Sequence, residues 1–428
     1  MARLPPPAVD PARDSAALLR RVGFLILLLG LPFGALLSAP GLVIAAAISL
    51  ALICTAATLD DAARPVRDNV SRLATSPVTV ALAVLAGWST LSLLWTPSPG
   101  PTASRLVATL MVVAVALAGY LALPDRMRSA NLYLAPIGAA AAALAVAALA
   151  AFDDSPPEGE ADRYLERGVC VLVLYAWPAI AWLRSRGRDG QAIGLAAAVA
   201  VAAALGPEPA AALSFAAGAV LYGLVQLLGR RGADGAALLL ALALLLAPLL
   251  VVLGLHGAAA GRFPQWAAAM EGWRTAILQD PARLLTGHGL GSFRRGVTHS
   301  LAGGPVGTPA LVLWYDLGIV GVGAAAFALW AWIRAAAGHF GPLLPGLVAA
   351  FATGLALTLS GLDRGETWWP AAVAVVALVF VAAERGQFRT KRPKALSFGR
   401  KAAAPAGERP AGAPRSLQAA GPRPQPPT

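Results

Sequence analysis

Charged residues are scarce in this chain. They make up 13% of its 428 residues, whereas a soluble domain carries about 25%. Hydrophobic residues reach 57%, the mean hydropathy is +0.66, and apolar runs long enough to cross a bilayer recur along most of the sequence. The scarcity of charge therefore excludes an ordinary soluble domain. It predicts an all-α fold, a polytopic transmembrane helix bundle.

Cysteine and lysine are also rare. The two cysteines, Cys54 and Cys170, lie inside apolar runs and predict neither a disulfide framework nor a cysteine-based metal site. All three lysines and seven arginines fall between Arg385 and Thr428, within a net charge of +12. This segment is also rich in proline, alanine and glycine, so a disordered basic tail is predicted over residues 385–428. Anionic membrane lipids are a simpler partner for it than nucleic acid.

The apolar runs predict about twelve transmembrane helices. The first run is followed by many others, so a retained anchor is expected rather than a signal peptide. We expect a disordered N-terminal segment over 1–21 and the membrane domain over 22–384. No internal repeat is visible, which removes one sign of a secondary transporter. The predicted cores are 22–38, 41–58, 77–95, 102–123, 132–152, 168–183, 190–204, 208–228, 235–255, 309–333, 341–361 and 367–383.

The loops between these spans alternate in charge. One set is short and rich in arginine, and the positive-inside rule predicts that it faces the cytoplasm: "DDAARPVRDNVSR", "PDRMRS", "RSRGRD" and "GRRG". Both termini are then cytoplasmic. The long loop over 256–308 is expected on the outer face, which is the periplasmic face of a bacterial inner membrane.

This long loop contains a predicted amphipathic helix. Pro264 suits the first turn of a helix, and Asp280-Pro281 is expected to end it. Large apolar residues between them follow at spacings of four, three and four, which places them on one face: Trp266, Met270, Trp273 and Ile277. The helix is predicted to lie on the membrane interface or to pack against the bundle.

The segment "GHGLGSF", Gly287–Phe293, follows this helix and is called the glycine turn below. Its three glycines, with Gly289 at the centre, permit a tight turn and a close approach to a ligand. Arginines gather around it on a face that is otherwise poor in them, so they indicate an anionic partner such as a lipid-linked pyrophosphate, although each also fits a solvated surface charge: Arg262, Arg274, Arg283, Arg294 and Arg295.

The stretch "GRFPQWAAAMEGWRTAILQDPARLLTGHGLGSF" resembles the hallmark of the O-antigen ligase and O-antigen polymerase family. The segments "LSLLWTPSPGPTASR", "DRYLERGVCVLVLYAWPAI" and "LVLWYDLGIVGVG" resemble further motifs of that family, in the same order, and the resemblance covers roughly residues 80 to 380. It implies a glycosyltransferase-C-like helical fold. It also implies transfer of a glycan from an undecaprenyl-pyrophosphate carrier to lipid A core or to another carrier-linked glycan. Neither a cofactor nor a metal is required.

Arginine side chains are expected to neutralise the departing pyrophosphate. Arg262 is the first candidate, and Arg167 or its neighbour Arg163 is the second, although Arg167 also fits a charge that anchors the start of a span. Residues that are candidates for binding the substrate lie around the glycine turn and the middle span: Arg163, Arg274, His288, Gly289, Arg294 and Arg295.

A general base must also take the proton of the acceptor hydroxyl. Members of the family carry a His-Asn pair at positions that here hold Gly307 and Thr308. The candidates are therefore His299, which precedes these positions, and His288 in the glycine turn. Asp316 fits a base or an orienting carboxylate, but it also fits a helix-start residue favoured by the helix dipole.

Two other classes of function compete with glycan transfer. One is a transporter or flippase of an anionic lipid-linked solute, and the other is a non-catalytic subunit of an envelope complex. A transporter is expected to carry charges at mid-membrane depth. The spans here are nearly free of ionisable residues, and the outer arginines gather mainly in one loop. This distribution favours chemistry at the outer interface, with a ligase and a polymerase equally compatible.

Overall fold

Helices form the regular structure of this protein. The computed structural model describes residues 11–59, 76–124, 127, 129–152, 160–207, 209–253, 264–293, 308–360 and 368–387, and no β-strand occurs among them. The predicted all-α fold is confirmed. The helices are α1 (Pro11–Leu25), α2 (Leu31–Leu37), α3 (Ala39–Leu59), α4 (Pro77–Leu91), α5 (Pro99–Ala122), α6 (Ser129–Leu132), α7 (Leu134–Phe152), α8 (Glu160–Ser185), α9 (Asp189–Leu205), α10 (Pro209–Leu228), α11 (Arg230–Leu245), α12 (Ala247–Val252), α13 (Pro264–Gln279), α14 (Arg283–Thr286), α15 (Pro309–His339), α16 (Leu344–Ser360) and α17 (Trp368–Gln387).

Proline marks the start of several of these helices. Pro77, Pro99 and Pro309 lie in the first turns of α4, α5 and α15, where the missing N–H removes no intrahelical bond. Ser76 caps α4, because its side-chain oxygen accepts a hydrogen bond from the N–H of Thr79 at 3.1 Å. These local signals explain why the spans predicted to start at 77 and 309 begin at Pro77 and Pro309 in the structure.

Ten helical segments of the described chain are long and apolar enough to cross a membrane. The described parts of all twelve segments predicted as spans are helical, but two of these helices do not reach that length. Segment 190–204 is the shorter helix α9, and segment 235–255 is divided into α11 and α12. At the N-terminus, α1 begins at Pro11, so residues 11–21 are helical where a disordered segment was expected.

Helix α8 lies at the centre of the bundle. In its most apolar stretch 89% of the residues are buried, whereas in that of α5 only 6% are buried. Between Val169 and Leu183 the helix carries large apolar residues on every face, and all of them are buried. A helix that is hydrophobic all round is expected in the interior. Helix α5, by contrast, presents most of its surface outward, as a lipid-facing helix does.

Small residues allow α8, α10 and α16 to pack closely. A Cβ atom added at Gly218 of α10 would collide with the hydroxyl of Thr353 and the ring of Trp177. The Trp177 indole N–H donates to Thr353 Oγ1 at 2.8 Å, and that hydroxyl donates to the carbonyl of Ser214 at 3.2 Å. Buried polar bonds of this kind hold neighbouring helices together where the surrounding solvent is apolar.

The two ends of the bundle differ in chemistry. Helix α15 contacts the glycine turn through Asp316 and carries Arg334 eighteen residues later, which is about 27 Å along a helix. Arg186, just after α8, donates to the carbonyl of Gly386 in α17 at 3.0 Å. We call the end with Arg186 and Arg334 the arginine end, and the opposite end the glycine-turn end.

Candidate functional site

The glycine turn packs against a break in α15. Gly318 has φ 61° and ψ −163°, which is far from helical geometry, and the helix resumes after it. Carbonyl groups that precede such a break lose their normal helical donors. The carbonyl of Leu317 instead accepts the indole N–H of Trp88, on α4, at 2.8 Å. The break therefore ties α15 to a helix more than two hundred residues away in sequence.

The glycine turn uses the carbonyl groups next to this break. The N–H of His288 donates to the carbonyl of Tyr315 at 2.9 Å, and the N–H of Gly289 donates to the carbonyl of Asp316 at 3.0 Å. A Cβ atom added at Gly287 would collide with the Asp316 carbonyl. The turn thus lies directly on the backbone of α15, at a distance that a side chain at position 287 would prevent.

The side chain of Asp316 holds the far half of the turn. Its two carboxylate oxygens accept the N–H groups of Gly291 at 2.8 Å and of Phe293 at 3.1 Å. Asp316 is only 4% exposed, and charge-assisted bonds of this type are stronger than neutral ones. Among the predicted roles of Asp316, this geometry is that of an orienting carboxylate. Protonation of either oxygen would remove the negative charge that strengthens these bonds.

The segment after α4 clamps the turn from its other side. Thr96 Oγ1 donates to the carbonyl of Leu290 at 2.7 Å, and the N–H of Leu290 donates to Ser92 Oγ at 3.2 Å. Ser92 and Thr96 are both buried. The family-like segment "LSLLWTPSPGPTASR" contains both residues, but sequence reasoning assigned them no role. Their hydroxyl groups support the turn that carries the candidate His288.

Gly289 occupies a position that only glycine fits. Its φ is 97°, outside the regions that L-residues adopt readily. A Cβ atom built there would lie 2.9 Å from the Cα and from the N atom of Thr96. The close neighbour of this glycine is Thr96 of the protein itself, and the predicted approach to a ligand stays a prediction.

Helix α13, which was predicted to lie on the membrane interface or against the bundle, packs with its apolar face against the glycine turn and α15. Trp273 is 1% exposed and stacks on Phe293, with ring centroids 4.5 Å apart and an angle of 12° between the planes. Ile277 is also buried, and Tyr315 contacts the Trp273 ring edge to face at 6.3 Å. The helix begins at Pro264 and ends at Gln279, directly before Asp280, which confirms the predicted bounds.

His288 is the candidate base that the structure describes in full. Its ring stacks on Tyr315 at 4.0 Å, and Nδ1 lies 3.1 Å from the Tyr315 carbonyl. A carbonyl only accepts, so this bond places the proton on Nδ1 and leaves Nε2 as the basic nitrogen. Burial lowers the pKa of His288, while the hydrogen bond to the Tyr315 carbonyl raises it. The ring is therefore neutral at neutral pH.

A small cleft opens beside His288, between α13, the segment before the glycine turn, and α15. Its walls are formed by aromatic and aliphatic side chains, with the charged residues Asp280 and Arg283 also in the lining. The indole N–H of Trp273 is buried there without a hydrogen-bond partner. The cleft has a volume of about 10 Å³, room for about one water molecule, so a sugar would enter it only at its rim. The remaining lining residues are Ala276, Ile277, Leu284, Leu311, Trp314 and Tyr315.

The described loop arginines differ in their relation to this cleft. Arg283 lines it and lies 3.8 Å from the carboxylate of Asp280. Arg274 is exposed on α13, where it forms an ion pair with Glu271 at 3.4 Å, and it does not line the cleft. Arg283, which sequence reasoning included only in the general cluster, is therefore better placed at the cleft than Arg274.

Arg167 occupies a different environment. It is 8% exposed, its Nε donates to the carbonyl of Ala35 in α2 at 3.2 Å, and its guanidinium lies 5.2 Å from the ring centroid of Tyr164. These contacts join α8 to α2. They agree with the alternative prediction of a charge that anchors the start of a span.

Several predicted site residues fall outside what the structure describes. Four of them lie in the segments 254–263 and 294–307, and the side chain of a fifth, Arg163 in α8, is likewise outside the description. The four are Arg262, Arg294, Arg295 and His299. Within the described residues, no group of three or more His, Cys, Asp or Glu side chains is arranged to hold a metal ion.

Comparison of the chain with protein-family models and with curated proteins finds no match. The resemblance to the O-antigen ligase and polymerase family therefore stays a prediction. The fold and the geometry of the glycine turn are the observations on which a functional proposal rests.

Proposed function

We propose that this chain is a membrane glycosyltransferase, a ligase or polymerase that takes a glycan from an undecaprenyl-pyrophosphate carrier. The observation that carries the proposal is the position of His288. It is a neutral, half-buried imidazole in a hydrogen-bonded glycine turn, and it lines a small cleft together with aromatic rings and Arg283. The acceptor is a second glycan, either on lipid A core or on another carrier.

The proposed reaction uses side chains for proton transfer and for neutralising charge. Nε2 of His288 takes the proton of an acceptor hydroxyl, whose oxygen attacks the anomeric carbon of the donor sugar. The bond from that carbon to the pyrophosphate oxygen breaks, and the negative charge stays on the pyrophosphate. Arg283 lies at the cleft, and Arg294 and Arg295 follow Phe293 directly in the chain. Guanidinium groups stabilise such a charge as it develops.

His288 takes precedence over His299 in this scheme because it lines the cleft. Asp316 orients the turn that carries His288 and has no direct part in the proton transfer. Arg262 precedes α13 by two residues and remains the first candidate for binding the donor pyrophosphate, as the resemblance implies. His299 remains the alternative base.

We further propose that the glycine-turn end faces outward from the bacterial inner membrane and that both termini are cytoplasmic. The described arginines of the opposite end support this orientation, because cytoplasmic ends of spans carry an excess of arginine. They are Arg184, Arg186, Arg188, Arg230, Arg231, Arg334 and Arg385. Polymer-bearing carriers would then meet the cleft on the outer face.

The test is complementation of a deletion strain, with surface polysaccharide resolved by gel electrophoresis. Variants His288→Ala and Arg262→Ala are expected to lose polymer length or attachment, because each removes a group that acts on the reacting atoms. Removal of a single general base typically lowers the rate by about 100-fold or more. Arg334→Ala, at the opposite end and about half exposed, is the matched control and should retain wild-type polysaccharide.

Expression in the membrane is checked for every variant. Unchanged polysaccharide in the His288 variant, with His299→Ala defective, would move the base to His299. Unchanged polysaccharide in the two histidine variants and the Arg262 variant would contradict glycan transfer by this cleft. It would then favour the non-catalytic envelope subunit or the transporter.

A further inference from the structure

Four helix ends meet at one place in the arginine end. Helices α5, α8 and α17 end there and α6 begins there. Arg385 Nη1 donates to the carbonyls of Leu123 at 2.6 Å and Tyr120 at 3.3 Å, and Arg186 Nη2 donates to the carbonyl of Gly386 at 3.0 Å. These bonds tie the spans together where the chain leaves the apolar zone. The guanidinium groups are therefore held at the level of a membrane surface.

Three arginines at this place, Arg186, Arg188 and Arg385, are called the arginine cluster. Each guanidinium lies over an aromatic ring, with its central carbon 4.1 to 4.9 Å from the ring centroid. The pairs are Arg186 over Trp182, Arg188 over Tyr133 and Arg385 over Tyr120. Tyr133 and Trp182 also contact each other edge to face at 6.2 Å. Tryptophan and tyrosine at the ends of spans are typical of the headgroup level of a bilayer.

The charge of the arginine cluster is only partly compensated. Within the described part of the chain, none of the three guanidinium groups forms an ion pair with a carboxylate. Asp189 pairs with Arg184 at 3.1 Å, and Glu384 interacts with Arg385 through its charge alone. Arg184 and Asp189 neutralise each other, and among the described residues the arginine cluster interacts with one further carboxylate, that of Glu384, so a net positive charge remains.

Several N–H groups of Arg186 and Arg188 donate no hydrogen bond within the described part of the chain. A guanidinium carries five N–H donors, and Arg186 donates through Nη2 alone, to Gly386 and to Ser129 Oγ. Its Nε is buried and has no partner. Arg188 is exposed, and its Nη1 donates only to Gln191 at 3.3 Å. The buried Arg186 Nε is closed to a ligand, so the exposed Arg188 presents most of the free planar donors of the cluster to a ligand with several acceptor oxygens.

We propose that the arginine cluster binds the phosphate of an anionic phospholipid headgroup in the leaflet at this end. The net charge, the unused donors and the aromatic rings at the same level all match such a headgroup. An arginine near a membrane surface contributes a factor of about five in affinity for anionic lipid. Loss of all three should lower that affinity by roughly 100-fold. This proposal does not depend on glycan transfer.

The experiment titrates the purified full-length chain, in detergent, with phosphatidylglycerol or with zwitterionic phosphatidylcholine of the same acyl chains. Native mass spectrometry counts the lipids bound. The wild-type chain is expected to prefer phosphatidylglycerol, and the triple variant Arg186→Gln, Arg188→Gln, Arg385→Gln should lose that preference. The matched control is the double variant Arg184→Gln, Arg334→Gln. Those two arginines also lie over aromatic rings but are paired with Asp189 and Asp234.

The control should keep the preference of the wild-type chain. Equal binding of the two lipids by the wild-type chain would overturn the proposal, as would a triple variant that still selects phosphatidylglycerol. An equal loss in the control would also overturn it, because general surface charge would then explain the effect. Should the triple variant fail to fold, Arg188→Gln decides the matter, since that side chain is exposed. It should weaken phosphatidylglycerol binding about fivefold, and no change would refute the site.

Discussion

Replacement of Asp316 by asparagine tests whether its carboxylate holds the glycine turn. The side chain keeps its size, but only one oxygen remains to accept the N–H groups of Gly291 and Phe293, which now lie 2.8 and 3.1 Å from the carboxylate oxygens. The amide NH₂ would face the other N–H, donor against donor. A hydrogen bond to a charged group contributes about 1.5–3 kcal/mol. Losing one such bond and weakening the other costs roughly 3 kcal/mol in the docking of the turn.

Hydrogen exchange measures this cost directly, because local opening exposes the amides of the turn. A change of about 3 kcal/mol corresponds to a rise of roughly 100-fold in their exchange rate. Mass spectrometry of peptides that cover residues 287–293, on protein in detergent, reports that rate. The control is Asp234→Asn, which removes an ion pair to Arg334 at 3.4 Å between half-exposed side chains. A surface pair contributes about 0–1 kcal/mol, so exchange in the turn should stay unchanged.

The outcome of this comparison is decisive in either direction. A rise confined to the turn would support the anchoring role of Asp316. The reasoning fails if the turn exchanges no faster in the Asp316 variant than in the control. It also fails if every helix loosens to the same extent, because Asp316 would then support the whole bundle rather than the turn. Circular dichroism melting separates these two cases.

Two further predictions concern Gly289 and His288 of the turn. Gly223, in α10, is the control for the first. Gly289→Ala should lower the melting temperature, since a Cβ there meets backbone at 2.9 Å and φ is 97°. Gly223→Ala should raise it, because that helical glycine has open space and alanine is favoured by up to about 1 kcal/mol. A change in melting temperature in the same direction for both variants would contradict this reasoning. Burial holds the pKa of His288 below its usual value. The neutral ring therefore stabilises the fold fully at a pH above the usual histidine pKa. This stabilisation is lost as the pH falls to the lowered pKa of the folded state. Melting between pH 8 and 5 should show this fall in the wild-type chain and not in His288→Gln.

Local signals in the sequence were sufficient to predict helix α13. The apolar residues recur at helical spacing, Pro264 suits a first turn, and Asp280-Pro281 ends the pattern. Each of these effects acts within a few residues, so no knowledge of tertiary contacts is needed. The same holds for the spans, whose apolar runs predict helices wherever the bilayer is the solvent.

The break in α15 and the partners of the turn depend on tertiary contacts. The segment "LVLWYDLGIVGVG" is apolar throughout except for Asp316, and nothing local distinguishes Gly318, at φ 61°, from the other glycines in it. The partner of Leu290 is Thr96, 194 residues earlier in the chain. Only packing of α4 against α15 brings them together. For this reason sequence reasoning found the turn and Asp316 but could not find the bonds between them.

The arrangement as a whole explains why a glycine turn would serve a site at a membrane surface. Elements from two distant parts of the chain, the segment after α4 and the break in α15, fix the backbone of the turn from opposite sides. His288 is therefore held in one orientation by its stack on Tyr315 and by the bond between its Nδ1 and the Tyr315 carbonyl. Groups fixed in advance stabilise a developing charge without reorganising during the reaction. In this arrangement, Asp316 contributes to the proposed transfer through the position of other residues, since its own carboxylate is already occupied by the turn.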